Sequence, residues 1–153
     1  MLIWGLKTEA MFDLWTLEHF ANGIGIAGLA ALATGKILKK YEQKTEIDPS
    51  LKKNINFVVV LTLSLFWECI EHYIEAGLLP GAAGARVTFW FQGIEHWSNR
   101  LIGDTLAVML GWYVYNRVKK LAVPAKVFSL AWLLVHIFVF PDSMYLQRLL
   151  SPQ

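Results

Sequence analysis

The chain has 153 residues, of which 56% are hydrophobic and only 17% charged, with a net charge of +2 and a mean hydropathy of +0.43. Soluble domains carry roughly a quarter charged residues, so this composition excludes a cytosolic enzyme and a disordered tail, and the small net charge excludes a nucleic-acid binder that reads phosphates through a basic face. A single cysteine, Cys69, rules out an internal disulfide framework and any zinc module that needs two cysteines of one chain.

In chain order, residues 1–13 (Leu2, Ile3, Trp4, Leu6) read as a short amphipathic helix lying among lipid headgroups. The first long apolar stretch, 14–38, carries no charge between Phe20 and Gly35 and ends against Lys36, Lys39 and Lys40. Ala31-Leu32-Ala33 looks superficially like a cleavage site, but no basic leader precedes the stretch, so it reads as a retained span. A second stretch, 55–79, is stopped by Pro80 and Gly81. A third, 94–116, is followed by Arg117, Lys119 and Lys120, and a fourth, 124–140, lies between Pro124 and Pro141. Each approaches the roughly 20 residues that a helix needs to cross a bilayer. Residues 142–150 (Tyr145, Leu146, Leu149, Leu150) read as another interfacial helix. The expected fold is therefore an all-α integral membrane protein: one domain over 1–153, a four-transmembrane-helix bundle with short interfacial helices at both termini.

Loop charges set the expected orientation, because Lys and Arg accumulate on the cytoplasmic side. Lys36, Lys39, Lys40, Lys44, Lys52, Lys53, Arg117, Lys119, Lys120 and Lys126 flank the 39–54 and 117–123 loops, against Lys7, Arg86, Arg100 and Arg148 on the other side. Both termini and the 80–93 loop then face outward, as expected in a bacterial inner membrane, with Phe89, Trp90, Phe91 and Trp97 as an interfacial aromatic belt. Gly103, Ala107 and Gly111 on the third span, and Ala27, Ala31 and Gly35 on the first, make small-residue faces for close helix packing or oligomerisation. Gly23-Ile24-Gly25-Ile26-Ala27-Gly28 matches the dinucleotide fingerprint letter for letter, but it sits inside an apolar span with no preceding strand and is rejected as a nucleotide site.

Whatever chemistry exists uses Glu, His and Asp. Three of the four histidines follow a glutamate, in Glu18-His19, Glu71-His72 and Glu95-His96, where random order with eight Glu would give about 0.2 such pairs. Because the helices alternate in direction, His19, then Glu68, Glu71, His72 and Glu75, then Glu95, His96, Asn99, Arg100 and Asp104, and finally His136 all fall at the outward level. The spacing i, i+3, i+4, i+7 puts Glu68, Glu71, His72 and Glu75 on one helical face. Ionisable groups at membrane depth are costly, by about 2.5–3.5 kcal/mol each at the centre, so they should face one another. Carboxylates gathered in this way repel unless a cation neutralises them. Imidazole with carboxylate is a donor set for Zn, Fe or Mn, which predicts a divalent metal site with His19, Glu68, Glu71, His72 and Asp104 as first candidates and His96 and His136 next. Glu75 and Glu95 read as solvated rim charges, Glu18 should point away from His19, His136, alone on an apolar helix, is more often a hydrogen-bonded bundle residue than a ligand, and Cys69 reads as a small buried hydrophobe.

Two other cofactor classes fit less well. A ferritin-like dinuclear centre expects Glu-x-x-His from two helices, and the chain has none. A b-type haem would need two opposed histidines, for which His19, His72 and His136 are candidates, but the carboxylates are poor company for it.

Short patterns in 15–112 resemble the VanZ-like family of small four-span membrane proteins: His19-Phe20 early in the first span, Glu68-x-x-Glu71 where that family has Glu-x-x-Gln, and Asp104-x-x-Ala107-x-x-x-Gly111 where it has Asn-x-x-Gly-x-x-x-Gly. Arg100 stands four positions before Asp104, where that family usually has an acid. The resemblance implies a polar outward pocket and a loose association with glycopeptide-antibiotic tolerance, and no settled reaction.

The expected function is a metal-loaded outward pocket acting on a lipid or lipid-linked substrate at the outer leaflet. For an enzyme, this would be metal-dependent hydrolysis with Glu68 or Glu71 as general base and Arg100 as the clamp for a phosphate or carboxylate. The alternatives are a non-catalytic binding or assembly subunit whose polar interior is structural, a b-type haem protein, and an ion-translocation protein. The last is disfavoured because no acid falls in the cytoplasmic half of any span.

Overall fold

The computed structural model describes residues 2–42, 47–91 and 93–139. Two short strands, β1 (Leu2–Trp4) and β2 (Ala10–Phe12), precede helices α1 (Trp15–Glu42), α2 (Pro49–Glu75), α3 (Gly81–Phe91), α4 (Thr105–Arg117) and α5 (Ala122–Phe138). A π-helical turn, Asn99–Asp104, runs directly into α4, and a 3₁₀ turn, Lys119–Leu121, leads into α5.

Trp15–Lys40, Pro49–Glu75 and Lys119–Phe138 are long and apolar enough to cross a membrane. Their outer faces are not those of a soluble bundle: Leu32 is 64% exposed, Phe66 63% and Phe138 76%, where a soluble monomer rarely shows a large contiguous apolar surface. The expected third span, 94–116, is not one continuous α-helix, because 94–96 are not helical and Asn99–Asp104 form the π turn. The expected second span begins six residues earlier than read and stops at Glu75. There Gly77, at φ 71°, reverses the chain.

Helix ends follow side-chain chemistry. The Asp13 carboxylate accepts from the amides of Trp15 at 2.8 Å and Thr16 at 3.1 Å and so starts α1. Asp48 accepts from the Ser50 amide at 3.0 Å, with Pro49 in the first turn of α2. Burial raises the Asp13 pKa, against the lowering effect of those amide hydrogen bonds. Asp48, in water, is held below its usual value by the Ser50 hydroxyl and amide.

Helix α1 is the axle, with α4, α5 and α2 packed around it. Backbones touch where it meets α4: a Cβ on Gly23 would lie 2.2 Å from the Val108 carbonyl oxygen, and one on Gly111 would lie 2.3 Å from that of Phe20. Gly28 sits as tightly against Ala122 of α5, at 2.7 Å. The glycine string of α1 thus serves packing. The Ala27, Ala31, Gly35 face does so only in part: Ala27 is fully buried, whereas Gly35 has open space beside it. The core is Ile24, Ala27, Ala30, Val60, Val108, Tyr115, Ala122 and Ala125. Asn56 stitches three helices through it, donating to the Ala27 carbonyl at 3.1 Å and accepting from the Trp112 indole at 2.9 Å.

Two further expectations are corrected. The N-terminal segment is not an interfacial helix: β1 and β2 pair in parallel, Leu2 against Ala10 and Trp4 against Phe12. The reason is tertiary docking. The Lys7 carbonyl accepts from the His96 amide at 2.8 Å, Lys7 and Asp13 are buried, and the Met11 carbonyl fills the space that Gly103 leaves open. The 80–93 segment is not a loop but carries α3, whose Trp90 packs edge-on to Trp15 with ring centroids 5.9 Å apart. Of the expected belt, only Phe89 and Trp97 are strongly exposed. The expected helix at 142–150 lies outside the described residues.

Candidate functional site

His19 on α1, Glu68 on α2 and Asp104 at the head of α4 each offer one ligand atom within 4.8 Å of the others. The His19 ring lies between the two carboxylates, with Nε2 3.6 Å from Glu68 Oε1 and Nδ1 3.7 Å from Asp104 Oδ1. Its Nδ1 also lies 2.9 Å from the Trp15 carbonyl oxygen. A carbonyl only accepts, so this contact places a proton on Nδ1, and Nε2 faces Glu68. A backbone carbonyl fixing the tautomer is the usual support of a metal-ligating histidine. His19 Nε2, both oxygens of Glu68 and both of Asp104 are buried with no hydrogen-bond partner among the described residues.

The π turn delivers Asp104. In an α-helix, residues five apart point about 140° away from each other. The slower winding of the i→i+5 turn instead lets Asn99, Arg100, Gly103 and Asp104 all face inward, and all four are buried. Gly103 is required because β2 passes over it, with the Met11 carbonyl 2.0 Å from where a Cβ would stand. Asn99 is fully buried, and neither end of its amide is partnered.

A second network, toward the N-terminal strands, gathers two cations and two carboxylates. Arg100 donates to Glu75 at 2.6 Å and lies 3.4 Å from Glu95 and 3.9 Å from Glu68. Lys7 pairs with the other oxygen of Glu75, and the Glu95 amide donates to Glu75 at 2.9 Å. Glu75 and Glu95 are therefore buried ion-pair partners, not solvated rim charges, because the N-terminal strands cover them. Glu18 does not point away from His19 but comes within 3.8 Å of Nδ1.

The remaining candidates stand apart from the three converging groups. His72 accepts from Arg100 at 2.9 Å through Nδ1, since arginine can only donate. His96 is bound to the Ser98 hydroxyl at 2.7 Å. His136 donates to the Trp132 carbonyl at 2.7 Å and stacks on that indole at 4.7 Å. Glu71 is buried and lines, with His19, a 370 Å³ cavity walled by Trp15, Trp67, Trp90 and Leu133. A second cavity, of 230 Å³, meets His19 and Glu68 from the side of Leu63 and Phe66. Cys69 is exposed on the outer face of α2, not buried.

Asp13, Lys7 and Asn56 are the polar residues that sequence reading missed. The first two lie in a segment whose docking has no local signal. Asn56 had one, as the last amide before the apolar run that starts at Phe57.

No protein family, curated protein or solved structure matches the chain.

Proposed function

We propose that the chain is a four-span membrane protein, its fourth crossing formed by the π turn with α4, that holds a divalent Zn, Fe or Mn ion between His19, Glu68 and Asp104. The observation that carries this reading is the convergence of unpartnered buried donors from three separate helices. Bonds of about 2.0–2.2 Å put tetrahedral ligand atoms roughly 3.3 Å apart, so the three groups already lie within about 1.5 Å of that spacing. Charge supports it too. Asp13, Glu18, Glu68, Glu71, Glu75, Glu95 and Asp104 crowd this end, and the fixed cations that pair with them among the described residues are Lys7 and Arg100.

The lysine-rich helix ends face the cytoplasm and the site faces the outer leaflet, as in an inner-membrane protein. A bound ion supplies Lewis acidity. Glu71, buried beside His19 and outside the three ligands, is the residue placed to take a proton from a reactant entering the aromatic cavity. Arg100 holds Glu68 against the Glu75 network as a positioning residue. The apolar walls of both cavities favour a lipid or lipid-linked substrate.

The second reading, a structural polar network in a non-catalytic assembly subunit, draws on the ion pairs of Glu75 with Arg100 and Lys7. Elemental analysis of the full chain in detergent separates the two readings. Expected is about one equivalent of Zn, Fe or Mn in the native protein and in His72→Ala, and none in folded His19→Ala. Metal-free native protein would remove the proposal.

A further inference from the structure

Where α1, α2 and α4 end together near the 3₁₀ turn, a separate cavity of 280 Å³ opens, lined by Thr34, Lys52, Lys53, Tyr115, Asn116 and Lys119 among others. It lies about 22 Å along α1 from His19, fifteen residues at 1.5 Å each. No carboxylate of the described residues lines it. The nearest acid in sequence, Asp48, is turned to the Ser50 amide and hydroxyl.

Topology alone does not require this arrangement. Lys36, Lys39, Lys40 and Lys120 are exposed at the same helix ends and suffice to retain them in the cytoplasm. Lys52, Lys53 and Lys119 differ in that they border a recess with a floor of hydroxyl and amide groups. Lys53 is positioned, its ammonium lying 5.7 Å from the centre of the Trp112 ring, while the Trp112 indole is fixed by Asn56 at 2.9 Å. Gly35 keeps one wall open, with nothing within 4 Å of the place a Cβ would occupy.

We propose that this cavity binds a phosphate group, that of an anionic phospholipid in the leaflet at the lysine-rich end. Lys53 and Lys119, bordering a recess that also carries hydroxyl and amide groups between helices at headgroup depth, are the chemistry that recognises such a group. The site is independent of the metal reading, since none of its residues touches His19, Glu68 or Asp104.

The full chain is placed in nanodiscs of phosphatidylcholine containing increasing phosphatidylglycerol, and its thermal midpoint and retained lipid are measured. Expected is a saturable rise in the midpoint with about one phosphatidylglycerol retained. In Lys53→Ala/Lys119→Ala the half-saturating fraction should rise about tenfold, whereas Lys36→Ala/Lys39→Ala, which removes the same charge from the open surface, should match the native protein. Equal loss in both double variants would show bulk surface attraction and overturn the site, as would no saturable response. Inorganic phosphate, titrated into phosphatidylcholine discs, identifies the source. Saturable stabilisation by phosphate alone, lost in Lys53→Ala/Lys119→Ala, keeps the phosphate site but overturns the lipid as its occupant.

Discussion

Single residues decide how α1 begins and where its histidine points. The Asp13 carboxylate caps the start of the helix, less than two turns before His19, so losing the cap loosens the segment that carries His19. Asp13→Ala should cost about 1 kcal/mol of stability, and Asp13→Asn much less, because the amide oxygen still accepts. The raised pKa of Asp13 adds a pH signature. A carboxyl whose folded pKa lies above its unfolded value stabilises the fold most at pH below the unfolded value, and that contribution is lost as pH rises through the folded value. Denaturation at a series of pH values should therefore show native stability falling with rising pH across that window relative to Asp13→Asn. A parallel course for the two proteins would refute the assignment.

That His19, Glu68 and Asp104 lie close together was legible from their position at one level of the spans. What separates them from His72 and His96 was not, because hydrogen bonds to Arg100 and Ser98 depend on rotamers and on the turn of α4 rather than on spacing.

Among the elements, α1 is held by contacts that tolerate no added atom. Gly111→Ala would drive a methyl into the Phe20 carbonyl, 2.3 Å from the new Cβ, and should destabilise the protein by about 1–3 kcal/mol. Gly35→Ala, in open space on the same helix system, should be neutral or stabilising by up to about 1 kcal/mol. Thermal melts in one detergent compare the two, and equal effects would contradict the described α1–α4 crossing.

The positions of α1, α2 and α5 were readable from apolar length and from Pro and Gly punctuation. The rest were not. The parallel β1–β2 pair depends on Lys7 and Met11 meeting residues some ninety positions away, and a π turn has no compositional mark beyond the run of inward residues from Asn99 to Asp104.

For the whole molecule, the exposed apolar faces and the segregation of lysine to one end make the bilayer the natural solvent. In a Cys69→Ser background, Thr8→Cys should react with an impermeant maleimide in intact cells, and Ser50→Cys only after the inner membrane is opened; the reverse pattern would invert the proposed topology. The general plan, apolar helices with titratable groups gathered at one end, follows from burial energetics and could be read from order alone. The aromatic cavity beside His19 could not, since it depends on α3 folding back so that Trp90 reaches Trp15.

The central claim, one ion shared by three helices, is tested most directly by X-ray absorption at the edge of the metal that co-purifies with the full chain. Expected is a shell of one imidazole nitrogen with carboxylate or water oxygens at about 2.0–2.2 Å, disrupted in Asp104→Asn. A shell with sulfur or with several imidazoles, or a native spectrum that Asp104→Asn leaves unchanged, would contradict it.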